Sequence, residues 1–528
     1  MLRNVMTVGA WTMASRLLGF VRDILIASRL GAGPVADAFF VALKLPNLFR
    51  RLFGEGAFNA AFIPAFAGAL AAEGREAAHA LANHLAALMT LWLSLIVVIG
   101  WLLMPQFITL LAPGFVADPL RYGLAVEMTR ITFPYLLLIC LAALVSGVLN
   151  GLDRFAAAAA APVLFNLMSI GALLALTPFV ATPGHALAWG VMLSGVVQLG
   201  LVWWSARQAG MAIGLLGPVR LTPPVRAVLR KMVPGVLGAG VTQLNLAIDV
   251  IIASLLPAGA VSFLYYADRV AQLPLGVIGA AMGTALLPVL ARQLRLGRPL
   301  SAHHNQNRAI ELSLLLTLPA AAALAVLAEP IIVTLFQRGA FDAQAARATS
   351  GALLAYAFGM PFFVLVKVFA PGFFARGDTA TPVRIGLGVV ALNLVLNLIL
   401  SRLIGHVGIA LSTGIAAMVN AMALAGVLMR RRQLVFDRRL RRRALRILGA
   451  VAAMAAVLAV ARAALWPAPP GWRVPVLAGI CVLGAVSYAV AVEFLGAMRL
   501  AELRKMLRRG AVPPAPGRAP DPKPVAGG

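Results

Sequence analysis

Apolar runs of about twenty residues recur along most of the chain, and they constrain its fold more than any other feature. Clear examples are the segments 85–104, 131–149, 236–256, 312–336, 385–404 and 474–498. A helix of about twenty apolar residues crosses the hydrocarbon core of a bilayer. With 61% hydrophobic and only 12% charged residues, the chain could not cover a soluble surface with polar groups. The sequence therefore predicts an all-α polytopic membrane protein.

We predict about fourteen transmembrane helices from these runs. In chain order they lie near 5–30, 34–66, 82–111, 123–148, 157–180, 186–206, 226–256, 260–291, 307–336, 347–373, 382–403, 406–430, 445–465 and 474–498. Arg16, Arg22 and Asp23 interrupt the first run, and no small-residue cleavage site follows a clean apolar core. That run is therefore interpreted as a retained first helix and not as a removed signal peptide.

Basic residues are concentrated in every second loop, which predicts the orientation of the chain in the membrane. The sequence holds 45 Lys and Arg against 18 Asp and Glu, a net charge of +27. The loops after even-numbered predicted helices carry most of this excess, including nine arginines in the run 430–446. Cytoplasmic loops accumulate Lys and Arg, so both termini are predicted to be cytoplasmic and no nucleic-acid partner is needed. The run 430–446 is interpreted mainly as a topology signal, with binding of anionic lipid head groups as the alternative.

An internal repeat predicts how the helices are arranged. Residues 23–33 (DILIASRLGAG) and 249–259 (DVIIASLLPAG) are identical at seven of eleven positions, at an offset of 226. Pro105 recurs as Pro330 at an offset of 225. An even number of helices per repeat predicts two six-helix lobes related by a pseudo-two-fold axis along the membrane normal, with a substrate site between them. The predicted boundaries are 1–222 and 223–432 for the two lobes, 433–500 for two extra helices, and 501–528 for a disordered cytoplasmic tail.

Several ionisable residues fall inside the predicted helices, where they are costly and usually face a cavity or one another. The first two helices and the eighth carry them; the residues are Arg16, Arg22, Asp23, Arg29, Asp37, Lys44, Arg50, Arg51, Glu55, Asp268 and Arg269. One alternative is that arginines near helix ends reach the membrane surface and that neighbouring Asp and Arg pair structurally. For Arg16 and Arg269, deep in their helices, a cavity role is favoured. The surplus of guanidinium groups indicates an anionic ligand, because arginine binds phosphate oxygens through several donors at once.

The run SRLLGFVRDILIASRLGAGPVADAFFVALKLPNLFRRLFGEGAFNAAFIP resembles the N-terminal signature of the MurJ (MviN) lipid II flippase family. The segments YYADRVAQLPLGVIG, LAPGF and KVFAPGFFARGDTATPV match further blocks of that family. The resemblance implies fourteen helices of the multidrug/oligosaccharidyl-lipid/polysaccharide exporter superfamily, with a lipid-tail groove on the last two. It places substrate-binding cavity residues at Arg16, Arg22, Arg50 and Arg269, with Asp37, Lys44, Asn47 and Glu55 in the same block. Gln272 departs from relatives that have an acidic residue there, which leaves the partner of Arg269 open.

The resemblance implies a monomeric, multi-pass protein of the bacterial inner membrane that moves lipid II to the outer leaflet by alternating access. Its partners would be lipid II, membrane lipids and, as an open question, the cell-wall synthesis machinery. The alternatives are a flippase for another polyprenyl-pyrophosphate-linked saccharide, a drug or cation antiporter, and a non-transporting scaffold. The sequence contains no Walker A, HExxH or GxSxG motif and no Cys/His cluster, so neither ATP-driven nor hydrolytic chemistry is predicted.

A monovalent cation site is a further hypothesis. Asp249 lies within the seventh predicted helix, and Asn393 and Asn397 are one turn apart on the eleventh. With Thr413 they would supply hard oxygen ligands, so coupling to Na⁺, to H⁺ or to the membrane potential is left open, and no other cofactor is predicted. The alternative is that these side chains form hydrogen bonds between helices.

Overall fold

The computed structural model describes residues 2–51 and 57–497, and every regular element in that part of the chain is helical. The helices are α1 (Leu2–Leu30), α2 (Pro34–Phe49), α3 (Ala57–Ala72), α4 (Arg75–Leu102), α5 (Met104–Leu111), α6 (Pro119–Thr132), α7 (Tyr135–Gly151), α8 (Ala156–Ala175), α9 (Pro183–Gln208), α10 (Pro223–Ser254), α11 (Ala260–Arg295), α12 (Pro299–Val326), α13 (Ala328–Phe336), α14 (Ala343–Phe374), α15 (Ala380–Ile404), α16 (His406–Arg430), α17 (Arg438–Leu465) and α18 (Arg473–Phe494). Glu55 and the predicted tail 501–528 lie outside the described residues.

Ten helical segments among the described residues are long and apolar enough to cross a bilayer. They are Arg75–Leu102, Pro119–Gly151, Ala156–Ala175, Pro183–Gln208, Pro299–Val326, Ala343–Phe374, Ala380–Ile404, His406–Arg430, Arg438–Leu465 and Pro470–Phe494. The prediction of a multi-pass helical membrane protein is thereby confirmed. The count of about fourteen helices stays a prediction, as do the boundaries of the lobes.

Three predicted helices are each divided in two, which corrects the sequence-based segmentation. The divided segments are 82–111 (α4 and α5), 123–148 (α6 and α7) and 307–336 (α12 and α13). Hydrophobic periodicity continues through these breaks, so the pattern of apolar residues does not show them. In the first and third cases, a proline just after the break removes a backbone hydrogen bond.

Both of these prolines leave a carbonyl oxygen that an arginine side chain satisfies. Pro105 has no N–H to donate to the carbonyl of Trp101, and Arg130 Nε donates to that oxygen instead, over 3.3 Å. The Arg130 guanidinium also lies over the indole, 5.0 Å from its centroid. Pro330 likewise cannot donate to the carbonyl of Val326, which accepts from an arginine of α17 over 2.8 Å. Pro105 and Pro330 are equivalent in the sequence repeat, so the two halves break equivalent helices in the same manner.

Helix α17 is fixed to α12 near both of its ends by ionic contacts. Close to one end, Arg462 donates to the Val326 carbonyl and pairs with Glu329 over 2.6 Å. Close to the other, the buried Glu311 of α12 pairs with three arginines. They are Arg308, Arg439 and Arg443. Part of the basic run 430–446 therefore packs against the protein, which the interpretation as a topology signal missed.

Glu311→Gln is expected to lower the free energy of unfolding by about 2–3 kcal/mol. Removing one partner of a fully buried ion pair costs about 3–5 kcal/mol, and water reduces this here because Arg439 is partly exposed. Thermal unfolding in detergent measures the change. Glu73→Gln is the matched control, since Glu73 is exposed on the loop after α3. An unchanged melting temperature in Glu311→Gln would show that this cluster does not stabilise α17.

Loops 31–33, 112–118, 255–259 and 337–342 meet at one end of the molecule, which we call the closed end. Here hydrogen bonds join the N-terminal half to the C-terminal half. The Ala340 N–H donates to the Ser28 carbonyl over 2.9 Å, and the Tyr266 hydroxyl donates to the Gly31 carbonyl over 3.1 Å. Just inside these contacts, Phe40 of α2 stacks on Tyr265 of α11 with ring centroids 3.8 Å apart. Between the two halves, the closed end is therefore sealed by backbone contacts and aromatic packing.

Candidate functional site

A cavity of about 630 Å³ lies between the two halves, next to the aromatic layer under the closed end. Its size falls within the range of ligand-binding sites in proteins, about 300–1,000 Å³. Five basic side chains line it, against one acidic side chain, Asp268, among the described residues. The basic residues are Arg22, Lys44, Arg50, Arg51 and Arg269. The cavity is therefore cationic, as the surplus of guanidinium groups in the sequence predicts.

One carboxylate between two arginines forms the centre of the cationic wall. Arg22 donates to Asp23 Oδ1 from both Nε (3.1 Å) and Nη2 (2.7 Å), while its Nη1 donates to Asn166 Oδ1 over 3.1 Å. Arg269, from α11, approaches Asp23 Oδ2 at 3.7 Å with its Nε. Two guanidinium groups thus share one carboxylate, which leaves this centre with a net charge of +1.

The two arginines differ in how far they reach the cavity. The side chain of Arg22 is 9% exposed and held by Asp23 and Asn166, whereas that of Arg269 is 38% exposed. The Arg269 guanidinium lies over the Tyr265 ring, 4.8 Å from its centroid, and this contact orients it. Arg269 is therefore the more accessible member of this centre for a ligand, and Arg22 supplies charge and position.

Lys44 and Asn47 of α2, and Arg50 just after it, also line the cavity. Asn47 Oδ1 accepts from Arg50 Nε over 3.2 Å, and Asn47 Nδ2 donates to the carbonyl of Leu43 over 2.9 Å. Asn47 thus positions Arg50. The structure brings α2 and α11 to the same cavity, so these residues surround one site with Arg22 and Arg269.

Arg16 and Asp37 are not among the residues that line this cavity. Arg16 is exposed, and its guanidinium lies beside α11 at Gly276, where an added Cβ would be 3.5 Å from Arg16 Nη1. Asp37 is fully buried at the closed end. Its carboxylate accepts from the N–H groups of Gly259 (2.7 Å) and Ser262 (2.9 Å), at the start of α11. A carboxylate that satisfies the free N–H groups of a helix start is used structurally.

Sequence reasoning missed two residues of the cationic centre, Asn166 and Tyr265. Asn166 of α8 also donates to the Ser15 carbonyl over 2.9 Å, so it ties α8 to α1 beside Arg22. A polar side chain within an apolar helix was the signal that could have found it. The partner of Arg269, which Gln272 left open, is Asp23. Gln272 instead donates to Asp268 on the same helix.

The four residues of the hypothetical cation site lie together, at the meeting of α10, α15 and α16. Asp249 Oδ1 accepts from Asn393 Nδ2 (3.0 Å) and Asn397 Nδ2 (2.7 Å), and the Thr413 hydroxyl lies 3.5 Å from Oδ2. Asn245 joins the cluster by accepting from Asn393 over 2.9 Å. The Oδ1 atoms of Asn393 and Asn397 are buried without a hydrogen bond. Two unsatisfied amide oxygens beside the half-buried carboxylate of Asp249 fit a hard monovalent cation.

The helical fold and the cationic cavity between its halves are those of a membrane transporter for an anionic ligand. A family model described as lipid II flippase MurJ matches residues 26–468. A protein of Rhizobium meliloti named probable lipid II flippase MurJ is 43% identical over 521 residues, covering 97% of each chain. The chain belongs to the MurJ lipid II flippase family and is a multi-pass protein of the bacterial inner membrane.

Two solved structures show the same fold. One, described as lipid II flippase MurJ in an inward closed conformation, has a TM-score of 0.79 at 22% identity and covers 95% of this chain and 100% of its own. The other is an inward-facing multidrug resistance MATE family transporter of the MOP superfamily, with a TM-score of 0.66 at 16% identity. It covers 80% of this chain and 97% of its own. These likenesses agree with the superfamily that the sequence motifs indicate.

Proposed function

We propose that this protein moves lipid II, the undecaprenyl-pyrophosphate-linked peptidoglycan precursor, from the inner to the outer leaflet by alternating access. The observation that carries the proposal is the centre of Arg22, Asp23 and Arg269 in a cavity whose described lining has five basic side chains and one acidic one. A pyrophosphate diester offers two negative charges and several acceptor oxygens, which match this excess. The function is transport and requires no chemical conversion of the substrate.

The composition of the cavity also ranks the alternatives. An antiporter for organic cations needs a carboxylate exposed to its ligand. Of the carboxylates that the structure describes here, Asp23 is engaged by two arginines and Asp268 by Gln272. A flippase for another polyprenyl-pyrophosphate-linked saccharide would use the same cationic centre. Family membership favours lipid II over such substrates.

In the proposed arrangement, fourteen helices form two six-helix lobes related by an axis along the membrane normal. Both termini are cytoplasmic, and the closed end faces outward. Helices α17 and α18 hold the polyprenyl tail in a groove, and the chain works as a monomer. Opening toward the outside then requires the hydrogen bonds of Ala340 and Tyr266 across the closed end to break. The two halves would rock about the cavity while the tail remains in lipid.

The membrane potential favours this direction of movement. Moving one negative charge outward along an inside-negative potential gains about 2.3 kcal/mol per 100 mV. A pyrophosphate with two charges would gain about twice that amount, and any cation that crosses the field with it would reduce the gain.

The proposal is tested by reconstituting the purified protein into vesicles that contain fluorescent lipid II. We expect the protein to speed the exchange of lipid II between leaflets, read as accessibility to a membrane-impermeant quencher. Vesicles with an undecaprenyl-pyrophosphate-linked saccharide unrelated to peptidoglycan serve as the comparison. Equal rates for both substrates would favour the broader flippase alternative, and no acceleration of either would contradict the proposal.

We also propose that a monovalent cation binds among Asp249, Asn393, Asn397 and Thr413 and couples to transport. The carboxylate, the two free amide oxygens and the hydroxyl would be its ligands. Na⁺ is the first candidate, because these are hard oxygen donors, and protonation of Asp249 is the second.

Asp249→Asn is expected to abolish stabilisation of the protein by Na⁺. A ligand that binds only the folded state stabilises it by about 2.7 kcal/mol at a hundred times its dissociation constant. The thermal unfolding temperature of wild type should therefore rise when Na⁺ replaces choline at constant ionic strength, and that of Asp249→Asn should not. Asp153→Asn, at an exposed position after α7, is the control and should behave as wild type. If wild type shows no difference between Na⁺ and choline, the sodium proposal is wrong.

A further inference from the structure

The cavity has two chemically different faces. The basic side chains come from α1, from α2 with the two residues Arg50 and Arg51 just after it, and from α11. The part of the lining built by α3 and α7 contributes no charged side chain among the described residues. Its polar members are Asn59, Ser146 and Asn150, which we call the neutral face. Such a division suits a ligand with one anionic part and one uncharged polar part.

The neutral face keeps unused hydrogen-bonding groups. Asn59 Oδ1 is buried and has no hydrogen-bond partner in the described part of the chain. Ser146 and Asn150 are one turn apart on α7, half-buried, and their side chains make no hydrogen bond to other described residues. An unpaired buried polar group destabilises the folded protein, so the Asn59 amide oxygen is expected to gain a partner when the cavity is filled. The side chains of Ser146 and Asn150 are open to the same ligand.

Close packing of α3 on α7 holds Asn59 in place. An added Cβ at Gly147 would lie 2.9 Å from the Phe62 ring and 3.7 Å from Asn59 Oδ1. Only a glycine at position 147 lets α3 approach α7 this closely. The amide of Asn59 therefore rests against α7 at Gly147, next to Ser146 and one turn from Asn150. The three polar groups therefore belong to one rigid surface and are not mobile side chains in solvent.

We infer that the neutral face binds the sugar that is attached to the pyrophosphate of the substrate, through its hydroxyl and acetamido groups. This inference rests on the proposed function. Amide and hydroxyl side chains both donate and accept, as sugar hydroxyl groups do. A polyprenyl tail would leave these groups unsatisfied, and a carboxylate would bind better on the basic face. The small residues around them, including Ala142, Ala143 and Ala158, leave room for a ring.

Three ligands separate the parts of the substrate: undecaprenyl pyrophosphate without sugar, the same lipid with the disaccharide but no peptide, and complete lipid II. Asn59→Leu and Asn150→Leu preserve side-chain size and remove the amides. We expect each to weaken binding of both sugar-bearing ligands about 2- to 10-fold, which is the loss of one neutral hydrogen bond. Binding of undecaprenyl pyrophosphate should not change. Asn305→Leu, on α12 outside the cavity, is the matched control.

The outcomes distinguish this inference from the proposed function. A loss only with complete lipid II would mean that the face binds the peptide, and an equal loss with all three ligands would mean a general structural defect. Either result, or no loss with any ligand, overturns the inference. Arg269→Gln must weaken all three ligands, because each carries the pyrophosphate. If it weakens none, the proposed function of the cationic centre fails, whatever the neutral face does.

Discussion

Replacing Arg269 with glutamine is expected to slow lipid II translocation about 100-fold. Arg269 presents a guanidinium to the cavity, and Asp23 already offsets the charge of Arg22. Glutamine would lower the net charge of this centre from +1 to zero. A hydrogen bond to a charged group contributes about 1.5–3 kcal/mol, and each 1.4 kcal/mol corresponds to a factor of ten in rate. Leaflet exchange of fluorescent lipid II in vesicles measures the effect.

Arg269→Lys separates the charge of this side chain from its geometry, and Arg29→Gln is the control. Arg269→Lys keeps the charge and loses the planar donors, so it should retain an intermediate rate. Arg29→Gln removes an arginine from α1 at an exposed position outside the cavity lining and should leave the rate near that of wild type. Near-wild-type exchange by Arg269→Gln would exclude this residue as a pyrophosphate ligand.

Gly339→Ala is expected to destabilise the closed end and reduce translocation at least about 10-fold. A Cβ at Gly339 would lie 2.3 Å from the Ser28 carbonyl oxygen, and Gly339 has a φ of +58°. The backbone fixes the positions of both the added Cβ and the Ser28 carbonyl, so no rotamer change relieves the contact. Overpacking costs about 1–3 kcal/mol, and the left-handed conformation adds about 1–2 kcal/mol for alanine. Thermal unfolding and leaflet exchange are the measurements.

Controls for this prediction isolate the clash from the backbone strain. Gly297 has a φ of +66° and no atom within 4 Å of its added Cβ, so Gly297→Ala carries the strain alone. Gly114→Ala carries a clash without a positive φ, because its Cβ would lie 2.1 Å from the Ser254 carbonyl oxygen. We expect Gly114→Ala to resemble Gly339→Ala. Gly297→Ala should translocate like wild type and lose only about 1–2 kcal/mol of stability, which is what the left-handed strain costs. If Gly297→Ala is as defective as Gly339→Ala, close packing at the closed end is not the cause.

Gly114 and Gly339 make a pair of equivalent contacts, which relates the sequence repeat to the structure. Gly114 and Gly339 are equivalent at an offset of 225, and Ser28 and Ser254 at an offset of 226. Each glycine packs against the serine of the other half. The repeat was visible in the sequence, but the exchange of partners between the halves was not. Sequence equivalence fixes which residues correspond, whereas contacts between halves depend on how the halves face each other.

Chemical type and spacing allowed several residues of the cavity to be predicted. A cavity role was expected for Arg16 and Arg269 because an ionisable group in the membrane interior needs a polar surrounding. The resemblance to the family added Arg22, Arg50, Lys44 and Asn47, and these four side chains line the cavity together with Arg269. Asp37 is instead held at the start of a neighbouring helix, where a buried carboxylate is equally well satisfied. Residue type alone does not distinguish these two environments.

The sequence by itself determined that the chain is a helical membrane protein with an internal repeat and a surplus of arginine inside the membrane. These properties depend on composition and periodicity, because a bilayer accepts only segments that satisfy their own backbone. Only the tertiary structure decided that Asp23 lies between Arg22 and Arg269, that Glu311 holds part of the basic run, and that an uncharged face lines the same cavity as the arginines. Each of these unites residues far apart in the chain, and their meeting depends on how helices pack.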